Sequence, residues 1–426
     1  MNGLRSIKII ILILITYSLQ GQQHVSNFSL NELEFTGLRK TKELYLLSLM
    51  TEELNKEVTY DIIKEDLQIL RNLPSIGQAD YTVDTTEQTV KVAFQIEERR
   101  TALPIINFGG VEGNAWFQLG FIDNNFLGNG DQILAYYQNN DSRHSAQVHF
   151  KKQRIIGSDW GYSFTVNKWS SEEPVFFSNG TLQYYYDNNG LTLSLLRNIG
   201  LNDVIELGGT YFKETYEKLK NQGIDDPQAP NNFSINKFLT KLETRNNYLD
   251  YHYFYVTGFE TILNFQNVLS IDDKTWFNSL IFQGKLFYRP KEKLNVGIRV
   301  KLGISTNTGS PFAPFVADSY FNIRGIGNRI DRGTAQAVLN LEARYTLSDE
   351  KNWSSQVVVF SDSGTWRDPG GRLRDVLKRE KFRQFVGLGF RATFNKIFGA
   401  TIRIDYGIDL YDLNQRGFVL GLGQYF

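Results

Sequence analysis

Apolar and polar side chains alternate in short segments that repeat from about residue 105 to the end of the chain. Clear examples are "DQILAYYQNN" (131–140), "SLIFQGKLFYRP" (279–290) and "ATIRIDYGIDL" (400–410). Successive side chains of a strand point to opposite faces, so this period predicts strands with one apolar and one polar face. With 181–198 taken as one strand kinked at Gly190, the segments number 16. The pattern predicts an all-β protein with an even number of antiparallel strands.

The connections between these segments form two classes that alternate along the chain. The short ones lie near 157 and at 200–202, 290–293 and 395–399, and the long ones span 170–179, 216–236, 305–334 and 364–383. Short turns at one end and long loops at the other are typical of outer-membrane β-barrels. A soluble sandwich or propeller has no reason to sort its loops in this way. We therefore expect a 16-stranded antiparallel transmembrane β-barrel over residues 101–426.

Residues 28–98 follow a different pattern. "LNELEFTGLRKT" predicts a short strand, helical spacing follows over 42–53 and 60–73, and "IGQADYTVD" and "TVKVAFQIE" read as two further strands. The second helix places Ile63, Leu67 and Leu70 on one face. The order strand, helix, helix, strand, strand predicts one small α+β domain, with bounds of about 22–100.

The N-terminal segment "MNGLRSIKIIILILITYSLQGQQ" has the layout of an export signal. Arg5 and Lys8 precede an apolar run over 9–15, and small and polar residues lead to Gly21. This layout predicts a cleaved secretory signal peptide over residues 1–21, with an N-terminal anchor helix as the alternative. No cysteine follows the run, so a lipoprotein anchor is not expected.

The composition narrows the range of possible functions. Aromatic residues make up 14% of the chain and cysteine is absent, which fits an all-β protein and excludes thiol catalysis and disulfides. Lys and Arg total 46, as do Asp and Glu, so the charge balance gives no reason to expect a nucleic-acid partner. There are four histidines and no G-x-S-x-G elbow. We expect no enzyme activity, cofactor or metal.

Three glycine-containing stretches stand out from the strand pattern. They are "NNFLGNGDQI" (124–133), "YFNIRGIGNRIDRGTA" (320–335) and "VVVFSDSGTW" (357–366). The second holds Arg324, Arg329 and Arg332. Burying an arginine without a partner is very costly, so an arginine placed inside a barrel requires a carboxylate beside it. The alternative is an exposed turn with solvated arginines.

Together these stretches resemble the BamA superfamily of outer-membrane proteins, which also contains TamA and the two-partner-secretion transporters. The family's turn motif matches Asn125, Leu127, Gly128 and Gly130, its loop motif matches Ile323, Arg324 and Gly325, followed by Gly327, and its strand motif matches Phe360, Asp362 and Gly364. Ile326 stands where an aromatic residue is common in the family. The N-terminal module resembles a POTRA domain, and the likeness extends over essentially the whole mature chain.

This resemblance implies roles for particular residues. It implies that the Arg324 loop folds back into the lumen and pairs with Asp362 on the inner wall, with Glu342 as a second candidate partner. The last strand is expected to carry Phe418, Leu420, Leu422 and Phe426 on one face. Such a strand with a final aromatic residue resembles the targeting signal read by the outer-membrane insertion machinery.

The function implied by the resemblance is insertion or export of client polypeptides through a gated barrel. The N-terminal domain would lie in the periplasm, and the partners would be outer-membrane lipid and client polypeptides or other envelope assembly proteins. A single POTRA-like module is fewer than the family's insertases and transporters usually carry. A passive channel, a structural component of an envelope complex, and export of a lipid or glycolipid remain as alternatives.

Overall fold

The computed structural model describes residues 28–51, 56–85, 90–111, 114–140, 143–177, 180–219, 229–252, 254–307, 313–319, 322–327 and 331–426. The signal peptide predicted for 1–21 and the loop residue Arg329 lie outside these ranges. Within them, no helix is both long enough and apolar enough to cross a membrane.

The N-terminal domain is a small sheet covered by helices. Its elements are β1 (Phe28–Ser29), β2 (Glu32–Thr36), α1 (Glu43–Leu47), β3 (Glu57–Val58), α2 (Tyr60–Asn72), β4 (Ile76–Thr85) and β5 (Val90–Glu98). In the main sheet β5 lies in the centre, parallel to β2 and antiparallel to β4. The apolar face of α2 buries Ile63 and Leu70 against Val92 and Phe94 of β5. The predicted order of strand, helix, helix, strand and strand is present as β2, α1, α2, β4 and β5, and the short strands β1 and β3, which pair with each other, were not predicted.

The first helix is much shorter than the predicted span of 42–53. It ends at Leu47, and the N–H groups of Leu49 and Met50 donate to carbonyls three residues back. The N–H of Thr51 donates to the carboxylate of the fully buried Asp66 on α2, at 2.9 Å. That carboxylate takes a donor that a longer helix would need for its own ladder, so the chain leaves the helix early.

The rest of the chain forms a closed barrel. Its elements are β6 (Ala102–Val111), β7 (Asn114–Asp123), β8 (Gln132–Asn140), β9 (Arg143–Lys152), β10 (Trp160–Phe177), β11 (Gly180–Ile199), β12 (Asp203–Lys218), β13 (Asn232–Tyr251), β14 (Val256–Ser270), β15 (Trp276–Lys291), β16 (Leu294–Ser305), β17 (Phe315–Ala317), β18 (Asp331–Gly333), β19 (Ala335–Asp349), β20 (Trp353–Arg367), β21 (Arg383–Phe394), β22 (Thr401–Asp409) and β23 (Arg416–Leu422). Sixteen of them close the wall in chain order, while β17 and β18 pair only with each other. The predicted 16-stranded barrel is confirmed, including 180–199 as one strand.

The barrel has a proximal end, next to the N-terminal domain, and a distal end. Proximal turns such as 200–202 and 292–293 are short, and distal loops 219–231, 306–334 and 368–382 are long. The long loop predicted at 170–179 is wrong. β10 continues to Phe177 and pairs residue by residue with β11 as far as Gly180. The inward side chains of this extension are packed, since Val175 lies in a buried cluster with Leu182.

The barrel closes at a weak seam between the first and last strands. In the described chain, the register of β6 and β23 pairs only Leu420 with Phe108, whereas β22 and β23 pair from Ile402 to Ile408. The seam strand β23 is also short, with 7 residues against 20 in β11. Few ladder hydrogen bonds therefore hold the seam together.

Candidate functional site in the barrel lumen

A segment of the distal loop 306–334 lies inside the barrel. Ile323 is fully buried and packs in a cluster with Phe315, Val338, Trp366 and Phe385. Gly325 has φ +95°, and a side chain there would lie 2.8 Å from the backbone oxygen of Gly407. Glycine is required at this position by both the conformation and the close approach to β22. The loop is therefore packed against the inner wall.

Arg324 forms the centre of the site by binding Asp362 of β20. Its Nε donates to Asp362 Oδ2 at 2.8 Å and its Nη2 to Oδ1 at 2.9 Å, while its backbone N–H donates to Oδ2 at 3.0 Å. Both side chains are fully buried. This bidentate pair is the strongest geometry available to an arginine and a carboxylate. It is the partner that the family resemblance implies.

Two further carboxylates extend the network around the lumen wall. Glu342 of β19 accepts from Arg324 Nη1 at 2.5 Å and also from Arg344 Nε. Asp405 of β22 pairs with Arg391 Nη1 at 2.8 Å and lies 3.9 Å from Arg324 Nη1. One loop arginine therefore contacts carboxylates on three different strands, and Glu342 is the second partner anticipated from the sequence.

An amide joins this charged network to the loop backbone. Asn340 Nδ2 donates at 2.8 Å both to Asp362 Oδ1 and to the backbone oxygen of Asn322. Its Oδ1 accepts from Arg299 Nε at 2.9 Å. Asn340 is fully buried, and these bonds occupy both ends of its side chain.

Aromatic rings cover the Arg324 guanidinium. Its Cζ lies 3.8 Å from the ring centre of Phe360 and 4.4 Å from that of Tyr425. Phe360 is the first residue of the strand motif, and Gly364 of the same motif leaves room for Ile323 and Trp366, which a side chain there would meet at under 3 Å. The loop motif and the strand motif thus form one buried site.

The end of the chain also enters the lumen. β23 ends at Leu422, and Gly423 adopts φ +87°, after which the hydroxyl of the buried Tyr425 donates to the backbone oxygen of Ser319 at 3.1 Å. Phe426 stacks on Phe287 of β15 with ring centres 5.8 Å apart. We call residues 423–426 the C-terminal tail.

The tail corrects one expectation. Phe418 and Leu420 are exposed on the outer face of β23, but Phe426 does not continue that face beyond Leu422. Gly423 turns the chain inward, where the backbone oxygen of Phe426 accepts from Arg344 Nη2 at 3.4 Å. Contacts with lumen arginines replace the strand ladder at this point.

Comparison with known proteins identifies the family. A model described as the Omp85 superfamily domain matches residues 125–426, which is more than half of the chain. The chain belongs to the Omp85 superfamily. No curated protein matches the sequence. The resemblance drawn from the three motifs is therefore confirmed at the level of the superfamily, and the chain is an outer-membrane β-barrel protein.

Solved structures of Omp85-type barrels share the fold. BamA from Haemophilus ducreyi lacking POTRA domains 1–3 is similar with a TM-score of 0.54 and 14% identity, over 93% of this chain and 83% of that one. CdiB from Acinetobacter baumannii gives 0.58 and 12%, over 93% and 74%, and CdiB from Escherichia coli gives 0.60 and 10%, over 92% and 76%. At these identities the likeness concerns the fold alone.

In this Omp85 protein the lumen loop is also held at the opposite wall. Arg332 forms a salt bridge with Glu173 of β10, and its Nη1 donates to the backbone oxygen of Ala313 at 3.2 Å. Glu173 accepts in addition from the hydroxyl of Ser171 at 2.7 Å. The loop therefore crosses the lumen between two anchors, Arg324 on β19–β22 and Arg332 on β10.

The turn motif of this Omp85 chain lies elsewhere, between the barrel and the N-terminal domain. Asn125 Nδ2 donates to Thr41 Oγ1 at 3.0 Å, and the N–H of Lys42 donates to the backbone oxygen of Gly128 at 2.9 Å. A side chain at Gly130 would lie 2.3 Å from the hydroxyl of Tyr45. Leu127, by contrast, is half exposed. The turn motif therefore docks the small domain and does not reach the lumen.

Sequence reasoning missed several members of the lumen site. They are Arg299, Asn340, Arg344, Arg391, Asp405 and Tyr425. A signal for five of them exists, because each is a polar residue on the inward phase of an otherwise alternating strand. Tyr425 also falls on the inward phase of the last strand, opposite to Phe418, Leu420 and Leu422, but the turn at Gly423 that brings it onto Arg324 had no signal in the sequence.

Proposed function

We propose that this Omp85 protein inserts or exports polypeptides through a gated barrel, with its N-terminal domain in the periplasm. One observation carries the proposal: the tail of the seam strand β23 contacts the lumen loop through one residue, Tyr425, which covers Arg324 and donates to the backbone oxygen of Ser319. If β23 separates from β6 and its tail moves outward, the Tyr425 ring leaves Arg324, which anchors the loop. Seam and loop would therefore release together.

The weak seam supports a lateral opening. The pairing of Leu420 with Phe108 is far shorter than the ladders of the other strand pairs. A client segment that takes up the free edges of β6 and β23 would satisfy backbone groups that the closed barrel leaves unpaired. This is what an assembly or secretion barrel requires, and a passive channel has no need of it.

The N-terminal domain supplies a second edge for clients. Its sheet has β2 and β4 at its edges and resembles a POTRA domain. An extended polypeptide can add to such an edge by backbone hydrogen bonds. The BamA and CdiB barrels with the same fold make polypeptide clients the reasonable class for this protein too.

Conductance in planar bilayers tests whether the loop gates the lumen. We expect small, flickering currents from the intact chain and large, steady currents after deletion of residues 321–333. Large steady currents from both proteins would contradict a gating loop and would favour a passive channel.

A disulfide across the seam tests the opening itself, and the absence of native cysteine makes the experiment clean. Phe108→Cys combined with Leu420→Cys joins paired, outward-facing positions, and Phe282→Cys with Leu302→Cys is the matched pair in a continuous ladder. The assay is insertion of a urea-denatured barrel protein into liposomes that contain each variant. We expect the oxidised seam pair to lose acceleration of insertion and to regain it on reduction, while the control pair is unaffected. Equal activity of both oxidised pairs would rule out lateral insertion.

A further inference from the structure

The distal loop 368–382 does not extend away from the barrel. It contains two short 3-10 helices, η1 (Leu373–Leu377) and η2 (Arg379–Lys381), and η1 lies against β19 and β20. Thr365 Oγ1 donates to the backbone oxygen of Val376 at 2.8 Å. Thr365 is three residues from the lumen residue Asp362, so its side chain has the opposite, outward phase. The loop is therefore folded over the outside of the wall at the distal rim; we call it the rim segment.

The barrel face under the rim segment is the one that otherwise meets lipid. Thr365 and Ala335 are buried there, while Leu339 and Leu341, further along the outward face of β19, are exposed. The rim segment thus directly continues the apolar outer surface of the barrel. Because it lies at the end of this apolar surface, we expect it at the level where the hydrocarbon layer gives way to headgroups.

The rim segment carries exposed apolar side chains. Leu377 is 85% exposed and Leu373 is 54% exposed. On the adjacent distal loop, Leu413 and Tyr411 are exposed as well, and Tyr411 contacts Phe382 with ring centres 6.4 Å apart. Exposed apolar side chains at this level of the barrel are unfavourable in water and favourable in the acyl boundary of a bilayer.

Cations lie next to these apolar residues along the chain. The rim segment carries Arg372, Arg374, Lys378, Arg379 and Lys381 against Asp368, Asp375 and Glu380. Its salt bridges use the lysines: Lys378 pairs with Asp375 at 3.2 Å and Lys381 with Asp368 at 2.5 Å. Among the described residues, Arg374 and Arg379 form no salt bridge, and both are exposed.

We propose that the rim segment is a binding site for phosphate-bearing lipid headgroups. Leu373 and Leu377 insert into the acyl boundary, and Arg374 and Arg379 pair with the phosphate. Arginine is suited to this role because its planar guanidinium matches a phosphate bidentately. The site fixes the bilayer boundary on β19 and β20, the two strands that hold Glu342 and Asp362. The proposal does not depend on what the barrel transports or on which membrane leaflet the distal rim faces.

Depth is tested first, in the full-length protein in phosphatidylcholine vesicles that contain phosphatidylglycerol. Leu377→Cys provides a single site for a polarity-sensitive dye, and Asn231→Cys labels another exposed distal loop as the control. We expect an apolar emission spectrum at 377 and a water-like spectrum at 231. A water-like spectrum at both positions would overturn the proposal.

Headgroup binding is tested by native mass spectrometry of the purified protein with added phosphatidylglycerol. Removing two cations by Arg374→Ser and Arg379→Ser should weaken lipid retention by about tenfold or more, as expected for charges next to an anionic headgroup. The matched variant Lys213→Ser with Lys274→Ser removes two exposed distal cations outside the rim segment and should retain lipid as the unaltered protein does. Equal losses in the two variants would overturn a specific site. Displacement of the lipid by millimolar inorganic phosphate would assign the arginines to free phosphate and would also overturn the proposal.

Discussion

The ring centre of Tyr425 lies 4.4 Å from Cζ of Arg324, so the penultimate residue of the chain covers the anchoring arginine of the lumen loop. Phe360 covers the other side of the same guanidinium at 3.8 Å. A desolvated contact between a cation and an aromatic ring contributes about 2 kcal/mol. Arg324 therefore contacts both the inner wall, through Phe360, and the tail of the seam strand, through Tyr425.

Arg324 and Asp362 should be energetically coupled. Arg324→Ala or Asp362→Ala alone leaves a buried charge without its partner and should lower the free energy of unfolding by about 3–5 kcal/mol. The double variant should lose much less than the sum of the two, because no lone charge remains. Urea unfolding in detergent, followed by tryptophan fluorescence, measures all three. Arg332→Ala with Asp362→Ala is the control, since Arg332 binds Glu173 and the two effects should add. Additive losses for Arg324 and Asp362 would show that they are not paired.

Tyr425 should couple the motions of the loop and the seam. Tyr425→Ala should raise amide hydrogen exchange about tenfold in both 322–327 and β23, because the ring leaves Arg324 uncovered. Tyr425→Phe keeps the ring over Arg324 and loses the hydroxyl with its bond to Ser319, so its exchange should stay close to that of the unaltered protein. Faster exchange in the loop with no change in β23 would contradict the coupling.

Gly128 should control docking of the N-terminal domain. A side chain at Gly128 would lie 2.3 Å from the backbone oxygen of Lys40, and its φ of +81° favours glycine. Gly157 has a similar φ of +75° and no atom within 4 Å of the added carbon, so Gly157→Ala reports backbone strain alone. We expect Gly128→Ala, and not Gly157→Ala, to speed tryptic cleavage at the linker residues Arg99 and Arg100. Equal cleavage in the two variants would show that the close approach to Lys40 is unimportant.

The domain junction should weaken in acid through Glu98. Partial burial raises the pKa of Glu98, but the N–H donors of Lys40 and Thr41, at 3.0 and 2.8 Å, outweigh it and hold that pKa below its usual range. A carboxylate with a lowered pKa stabilises the fold above its unfolded pKa of about 4.3, and the stabilisation is lost as pH falls from there through the folded value. Thr41 in turn receives the bond from Asn125, so the loss should reach the junction.

The same tryptic assay cannot run in acid, so thermal unfolding between pH 6 and pH 3 measures the effect of Glu98. In Glu98→Gln, the unfolding temperature of the N-terminal domain should fall less steeply as the pH is lowered. Glu97→Gln, on the exposed side of the same strand, should leave that fall unchanged. Parallel acid curves for the unaltered protein and Glu98→Gln would remove Glu98 from the explanation.

Alternation along the strands was enough to predict the barrel, and the motifs were enough to place Arg324 beside Asp362 and Glu342. The barrel prediction depends on the period of side chains along each strand, which is local information. The pairing of Arg324 was implied by the family resemblance, and the need of a buried arginine for an acid agrees with it. The extent of β10 was missed because "SSEEPVFFSN" contains a proline and clustered acids that favour a loop. Tertiary contacts override this preference, since Glu173 meets Arg332 and Val175 packs with Leu182.

The inward turn of the tail could not be predicted from the sequence either, because it also depends on tertiary contacts. Nothing between Gly423 and Phe426 distinguishes a strand that continues from one that bends, because glycine permits both. The inward position of the tail depends on contacts with Arg299, Arg324 and Arg403, each within about 5 Å of the Tyr425 ring. These arginines are distant from the tail in sequence. Long-range cation contacts cannot be read from a local period.

The unequal strand lengths have a consequence for the surrounding bilayer. With about 3.3 Å per residue and a tilt of about 40°, the 7 residues of β23 span about 18 Å along the membrane normal, less than the usual apolar band of about 25 Å. The hydrophobic thickness of the wall is therefore smallest at its closing edge, and lipid there must compress to match it. Such a mismatch costs a fraction of a kcal/mol per Å, so we expect the membrane next to β23 to be perturbed even while the barrel is shut.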